Sequence, residues 1–150
     1  LDMESVDLTS LTRAVVSDVG KQYDFDVSVS EPREPRPIST DRDVLWTVLR
    51  EVVENAVEHS SSSVPSVTIS VENGTTYGRI TVHDDGPGIP EREQTVLLEG
   101  AESPLRHGSG IGLWFVSWAV ARLGADLELH TPDSGGTEVQ LTIPDTTREE

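Results

Sequence analysis

The stretch HGSGIGLWFV, His107–Val116, sets Gly108, Gly110 and Gly112 at alternate positions and runs directly into large apolar residues. Glycines opening a helix offer unpaired backbone N–H groups and the positive end of the helix dipole, the arrangement that receives phosphate. The two familiar phosphate motifs do not match. Leu113 stands where a P-loop needs lysine, and where a dinucleotide fingerprint needs its last glycine. Taken alone, these residues read equally as a flexible loop docked on a core helix. Upstream, EVVENAVEH places Glu51, Asn55 and Glu58 on one narrow arc of a helix at about 100° per residue, with His59 beside it. Glu51 and Asn55 lie one turn apart and can meet one ligand. A carboxylate can orient or deprotonate a nucleophile, and an amide oxygen is a hard ligand suited to Mg²⁺. The plainer reading of such an arc is a solvated polar face. A third segment, VHDDGPGIP, delivers Asp84 at a strand end and then turns sharply through Gly86 and Gly88. A carboxylate held there can accept a hydrogen bond from an exocyclic amine; the alternative is an Asp-Gly turn and nothing more.

These residues need elements to position them. Apolar residues at helical spacing predict a helix within Val6–Tyr23, and DFDVSVS alternates as a strand. EPREPRP, with three prolines, predicts a loop or an extended edge. Ser39, Thr40 and Asp41 are candidate N-caps of a long helix running to His59, with Leu45, Leu49, Val52, Val53 and Ala56 on its buried side. Ser66–Glu72 and Gly78–Asp84 alternate as two strands around the hairpin signal NGTTY. Glu91–Glu99 reads as a short helix and GAESPLRHGSG as a loop. A second apolar helix is predicted over Ile111–Leu123, stopped by Gly124, and two strands, Asp126–Thr131 and Glu138–Ile143, close the chain. With most neighbouring strands joined by hairpins, the fold class is α+β: a mixed, mostly antiparallel sheet with helices on one face, in one domain spanning 1–150.

In order and spacing the three segments resemble the GHKL ATP-binding superfamily, most closely the catalytic domain of sensor histidine kinases. EVVENAVEH resembles the family's asparagine box, DDGPGI its first glycine box, GSGIGL its second, and GGTEVQLTIP its closing strand pair. ESPLRHGSGIGLWFVSW is similar to haloarchaeal members. The resemblance implies a two-layer α/β sandwich of the Bergerat type, with ATP between the long helix and a lid. It implies that Asn55 holds Mg²⁺, with Glu51 as a second candidate ligand and as candidate general base. Asp84 then accepts from the adenine amine, Gly86, Gly88 and Ile89 lie against the base, and Thr137 lies near it. Gly108, Ser109, Gly110, Ile111, Gly112 and Leu113 form the lid hinge and the phosphate-facing helix start. Many histidine kinases carry a basic residue where Glu58 stands; His59, Arg106 or His107 are the candidates to replace it. The implied reaction moves the γ-phosphate of ATP to a histidine on a separate dimerising helical domain, for relay to a response regulator, with homodimerisation through that other domain. None of His59, His83, His107 and His130 reads as the acceptor. Two alternatives stay open: an ATPase of the gyrase, MutL or Hsp90 kind, in which glutamate activates water, and a nucleotide-sensing module without chemistry.

Composition narrows the classes. There is no cysteine, so no disulfide or thiolate metal site. No run approaches the ~20 apolar residues of a membrane span. The first residues lack the basic-then-apolar order of a signal peptide and do not begin with Met, so a cytoplasmic piece of a longer, in some cases membrane-attached, protein is expected. Eleven basic against 27 acidic residues leave a net charge of -16, which opposes binding to nucleic acid or anionic membranes. The acid is spread along the chain rather than gathered in a tail, the pattern of a protein adapted to molar salt. At 1 M salt the Debye length is ~3 Å, so surface self-repulsion is screened. The thermal midpoint should therefore rise steeply between dilute buffer and molar KCl. A midpoint that does not move with KCl would assign the charge to a basic partner instead.

Overall fold

The alternation in SVTISVEN and YGRITVHD produces two long strands at the centre of a five-stranded mixed sheet. The computed structural model describes residues 2–58, 64–85, 108–130 and 136–145, with backbone only for 108–114. The elements run β1 (Met3–Val6), α1 (Leu8–Val19), β2 (Asp26–Ser30), β3 (Ile38–Asp41), α2 (Arg42–Glu58), β4 (Ser66–Asn73), β5 (Tyr77–Asp84), α3 (Gly108–Leu123), β6 (Asp126–His130) and β7 (Thr137–Pro144). The large sheet has the order β2-β4-β5-β7-β6; β2 pairs parallel to β4 and the other pairs are antiparallel. The predicted short helix at 91–99 lies outside the described residues.

Register puts one apolar face toward the helices. Ile69 pairs with Val82 and Val82 with Val139; Val71 pairs with Ile80 and Ile80 with Leu141. All six are buried, whereas Thr68, His83 and Glu138, in register on the opposite face, are exposed or half-buried. Helix α2 packs on β4 and β5, with α1 and α3 against it, and α3 also meets β6. Its buried side is the predicted one, extended by Val48 and Val57. The α+β layered fold with helices on one face is therefore the observed one.

Two strands were not legible in the sequence. MESV and ISTD are four residues each, show no alternation, and form a separate antiparallel ribbon, β1 against β3. Side-chain bonds hold it: the Ser39 N–H donates to Asp145 Oδ1 at 2.9 Å, and the Asp2 N–H donates to Asp41 Oδ2, within β3 itself, at 2.8 Å. Consequently Ser39 and Thr40 are strand residues rather than caps. Asp41 is the cap, accepting from the Val44 N–H at 3.0 Å. At the other helix, α3 begins at Gly108, three residues before the predicted Ile111. Once α3 is nucleated by burial of Val116, Ala119, Val120 and Leu123, each added residue gains a backbone bond, which outweighs the weak propensity of the glycines.

Asp41 is buried at 6% exposure, and its carboxyl is held below the usual aspartate range, first by the Val44 N–H and then by those of Asp2 and Asp43, against the opposing effect of burial. Its contribution to stability is present above the ordinary value of 3.8 and is lost as pH falls through the depressed folded value. Asp41→Ala should cost about 1–2 kcal/mol at pH 7 by loss of the cap. In urea titrations, the gap between variant and parent should close as pH drops below 3.8. A constant gap across that range would show that the carboxylate charge is irrelevant to the cap.

Candidate functional site

Asp84 ends β5 on the helix-facing side of the sheet, in register with Thr137 at the start of β7. Both side chains are buried, at 7% and 4% exposure. A carboxylate so sheltered needs polar partners, since burying an unpaired charge is costly. Its surroundings are shaped by Gly136, which the sequence reading did not single out as a site residue. Gly136 has φ 81°, the left-handed region, and a Cβ there would run into the Asp84 carbonyl oxygen. Only glycine lets β7 begin hard against the end of β5. The signal was the glycine immediately before Thr137, read only as part of a closing strand pair.

Helix α2 supplies the second half of the site. Glu51 and Asn55 are half-buried, one turn apart, on the side away from Leu45, Leu49 and Val53. The Asn55 amide nitrogen is buried and has no hydrogen-bond partner among the described residues. An amide in that state suits a ligand, because an unsatisfied buried donor carries a desolvation cost. Burial raises the proton affinity of Glu51; the neighbouring Glu54 and Glu58 carboxylates raise it further, and Arg50 opposes them. A glutamate of raised proton affinity is better suited to take a proton near neutral pH. Among the described residues no group of three or more His and carboxylate side chains is arranged to hold a metal. The donor set fits an ion shared between one amide oxygen and the oxygens of a ligand, since Mg²⁺ takes hard oxygen ligands and is commonly held together with substrate phosphates.

Two side chains that the predicted arc omitted brace this helix. Arg50 donates through Nε to Asp18 Oδ2 at 2.7 Å, through Nη1 to Glu54 Oε1 at 2.9 Å and through Nη2 to Gln22 Oε1 at 2.7 Å. The Tyr23 hydroxyl lies 2.9 Å from both Glu54 Oε2 and Glu58 Oε2. Burial and these two carboxylates push the phenol well above the ordinary tyrosine range, so it stays a donor. Glu58, predicted on the ligand-facing arc, is taken up by this tyrosine instead.

The third segment is described in part. The backbone of Gly108–Leu113 forms the first turns of α3, so the leading N–H groups have no partner within the helix. His59, Gly86, Gly88, Ile89, Arg106 and His107 lie outside the described residues. Asp84 and Thr137 are thus brought together, and Glu51 and Asn55 share one helix face.

Comparison with known proteins gives a consistent family. The family described as histidine kinase-, DNA gyrase B-, and HSP90-like ATPase matches residues 40–147. Sensor histidine kinase YkoH of Bacillus subtilis is 26% identical over 149 residues, covering 94% of this chain and 32% of its own length. The crystal structure of the ATP binding domain of PrrB from Mycobacterium tuberculosis superposes with a TM-score of 0.76 at 26% identity, covering 97% of this chain and 98% of that one. The catalytic domain of histidine kinase ThkA shares the fold, with a TM-score of 0.78 at 22% identity over 97% of each chain. The chain spans about a third or less of the first curated relatives it matches.

The raised proton affinity of Glu51 has a stability consequence. A carboxyl that folding makes more basic favours the folded state below its ordinary value of 4.5 and opposes it as pH rises through the folded value. Glu51→Gln should therefore raise the thermal midpoint at pH 7.5. The gain should shrink as pH falls below 4.5. Loss of stability at pH 7.5 in the variant would mean that Glu51 is a structural residue.

Proposed function

This chain belongs to the family of histidine kinase-, DNA gyrase B- and HSP90-like ATPases, and we propose that it is the ATP-binding catalytic domain of a sensor histidine kinase. Its role is to present MgATP to a histidine on a dimerising helical domain, for relay to a response regulator. The observation that carries the nucleotide reading is the buried Asp84, set against Gly136 and Thr137 where the central strands β5 and β7 meet at one end. There its carboxylate accepts from the exocyclic amine of adenine, with Thr137 beside it. The choice of a kinase over a hydrolysing ATPase is supported by the similarity to YkoH along 94% of the chain.

In this reading the residues divide the work by chemistry. Phosphoryl transfer asks a protein mainly for positioning and charge stabilisation. The leading N–H groups of α3 receive phosphate oxygens. Asn55 would hold Mg²⁺ through its amide oxygen, and the ion would supply positive charge to offset that of the phosphates. Glu51, one turn earlier, accepts the proton of the incoming imidazole as its ring nitrogen bonds to phosphorus and the bond to the ADP oxygen breaks. Its raised proton affinity suits that task. The acidic composition supports a setting of high salt for this domain.

Calorimetric titration with ADP and Mg²⁺ in molar KCl tests the nucleotide. Asp84→Asn keeps the shape but replaces an acceptor by an amide, and should weaken ADP by at least tenfold, a charged hydrogen bond being worth ~1.5–3 kcal/mol. Unchanged affinity would remove Asp84 from the site. With an added histidine-bearing helical domain, acid-labile phosphohistidine should form. Glu51→Gln should slow that transfer by ~10²–10⁴ while leaving ADP binding nearly intact. Steady phosphate release without any acceptor, abolished by Glu51→Gln, would overturn the kinase reading in favour of hydrolysis.

A further inference from the structure

The end of α2 is built against the usual rules. Its last turn carries no basic residue, and Glu54 and Glu58 sit there one turn apart, where the negative end of the helix dipole disfavours them and they repel each other. The last carbonyls of a helix also lack partners within it, so this end is prone to fray. Asn55 lies inside that turn, and its amide nitrogen has no protein partner among the described residues. Among the described residues no bond fixes the Asn55 amide nitrogen, so its aim follows the backbone that carries it.

Among the described residues, one group from outside the helix hydrogen-bonds to the acids of this turn. The Tyr23 hydroxyl, from the connection between α1 and β2, stands 2.9 Å from Glu54 Oε2 and 2.9 Å from Glu58 Oε2. It thereby brackets Asn55 with one contact before it and one after it. Arg50, tied to Asp18 and Gln22, holds the other oxygen of Glu54. The tyrosine itself is anchored, packing against the buried core. We propose that Tyr23 is a positioning residue for the metal–nucleotide site: by bridging Glu54 and Glu58 it holds the last turn of α2 and so keeps Asn55 aimed at the shared ion. This rests on the ATP-binding reading above. It adds a determinant of metal affinity that touches neither nucleotide nor metal. It also accounts for Glu58, whose charge would oppose the phosphates if left free but is directed into the tyrosine.

The test separates aim from stability. For parent, Tyr23→Phe and Glu58→Gln, ADP affinity is measured by calorimetry in molar KCl with Mg²⁺ and with EDTA, and thermal midpoints are recorded alongside. The readout is the Mg²⁺ increment, the ratio of the two dissociation constants. Tyr23→Phe, which removes the one hydroxyl shared by the two carboxylates, should reduce that increment by about fivefold to tenfold, the scale of one ordinary net hydrogen bond. Its metal-free ADP affinity should stay within about twofold of the parent, since Asp84 is untouched. Glu58→Gln keeps an oxygen acceptor for the hydroxyl and should preserve the increment. A lowered midpoint in Tyr23→Phe with an unchanged increment would overturn the proposal, leaving the ATP-binding reading intact. An equal loss in Glu58→Gln would also overturn it, because the effect would then belong to charge rather than to the tether. Absence of any Mg²⁺ increment in the parent would sink the metal-site reading and this inference with it.

Discussion

Helix α2 has to satisfy two opposed demands along one length of chain. Leu45, Val48, Leu49 and Val53, all at 1% exposure or less, must sit in the layer between sheet and helices. A turn of the helix only a few residues wide must meanwhile keep the half-buried Glu51 and Asn55 on the polar side. Apolar burial is what fixes the rotation of the helix about its axis, because turning it by even one position would carry a valine out and a glutamate in. Each such exchange removes a buried side chain worth roughly 1.5–3 kcal/mol. The polar face is thus aimed by the apolar one. Packing sets the azimuth but not the axial ends, and there the helix depends on Asp41 at its start and on Tyr23 and Arg50 toward its finish.

The sheet contributes a different kind of constraint, one of backbone space. The ends of β5 and β7 close together so tightly at Gly136 that a side chain there would meet the Asp84 carbonyl. That closeness puts Asp84 and Thr137 in one cross-strand row on the helix-facing side, where the neighbouring row is Ile69, Val82 and Val139. A polar row continues an apolar ladder at the margin of the core. Such a margin can bury a planar apolar ring while offering an acceptor to its edge, a combination that neither the core interior nor the open face of the sheet provides.

These arrangements differ in how plainly the chain announces them. The two long strands, the buried stripe of α2 and the stop at Gly124 follow from period and punctuation, since local pattern and tertiary packing agree there. The ribbon of β1 and β3 does not, because MESV and ISTD have no pattern of their own and exist by mutual pairing and by bonds to Asp145 and Asp41. Asp84, Asn55 and Glu51 stood out by type and spacing. Gly136 did not, because its role lies in a contact with a residue 52 positions away that spacing cannot reveal. Glu58 was legible as a position on an arc, but its partner Tyr23 lies 35 residues earlier, and only the docking of α1 on α2 brings them together.

The charge raises the final question of how a domain of net charge -16 accommodates a polyanion. Two length scales answer it. Repulsion from a diffuse acidic surface acts over a Debye length, about 8 Å at physiological ionic strength and ~3 Å at 1 M. Hydrogen bonds and metal contacts act at under about 3 Å, inside either limit, and are screened far less where solvent is excluded. Raising the salt therefore removes most of the unfavourable field and leaves the short-range contacts standing. What salt cannot remove is a carboxylate next to the ligand itself. Two acids of the same helical turn as Asn55 are held by side-chain partners: Glu54 by Arg50 and Tyr23, Glu58 by Tyr23. Glu51 keeps its place by burial and holds its proton more tightly than an ordinary glutamate. The surface is left to the solvent to neutralise, whereas beside the site Arg50 offsets the charge of Glu54, the Tyr23 hydroxyl holds Glu54 and Glu58 in place without removing their charge, and burial raises the proton affinity of Glu51.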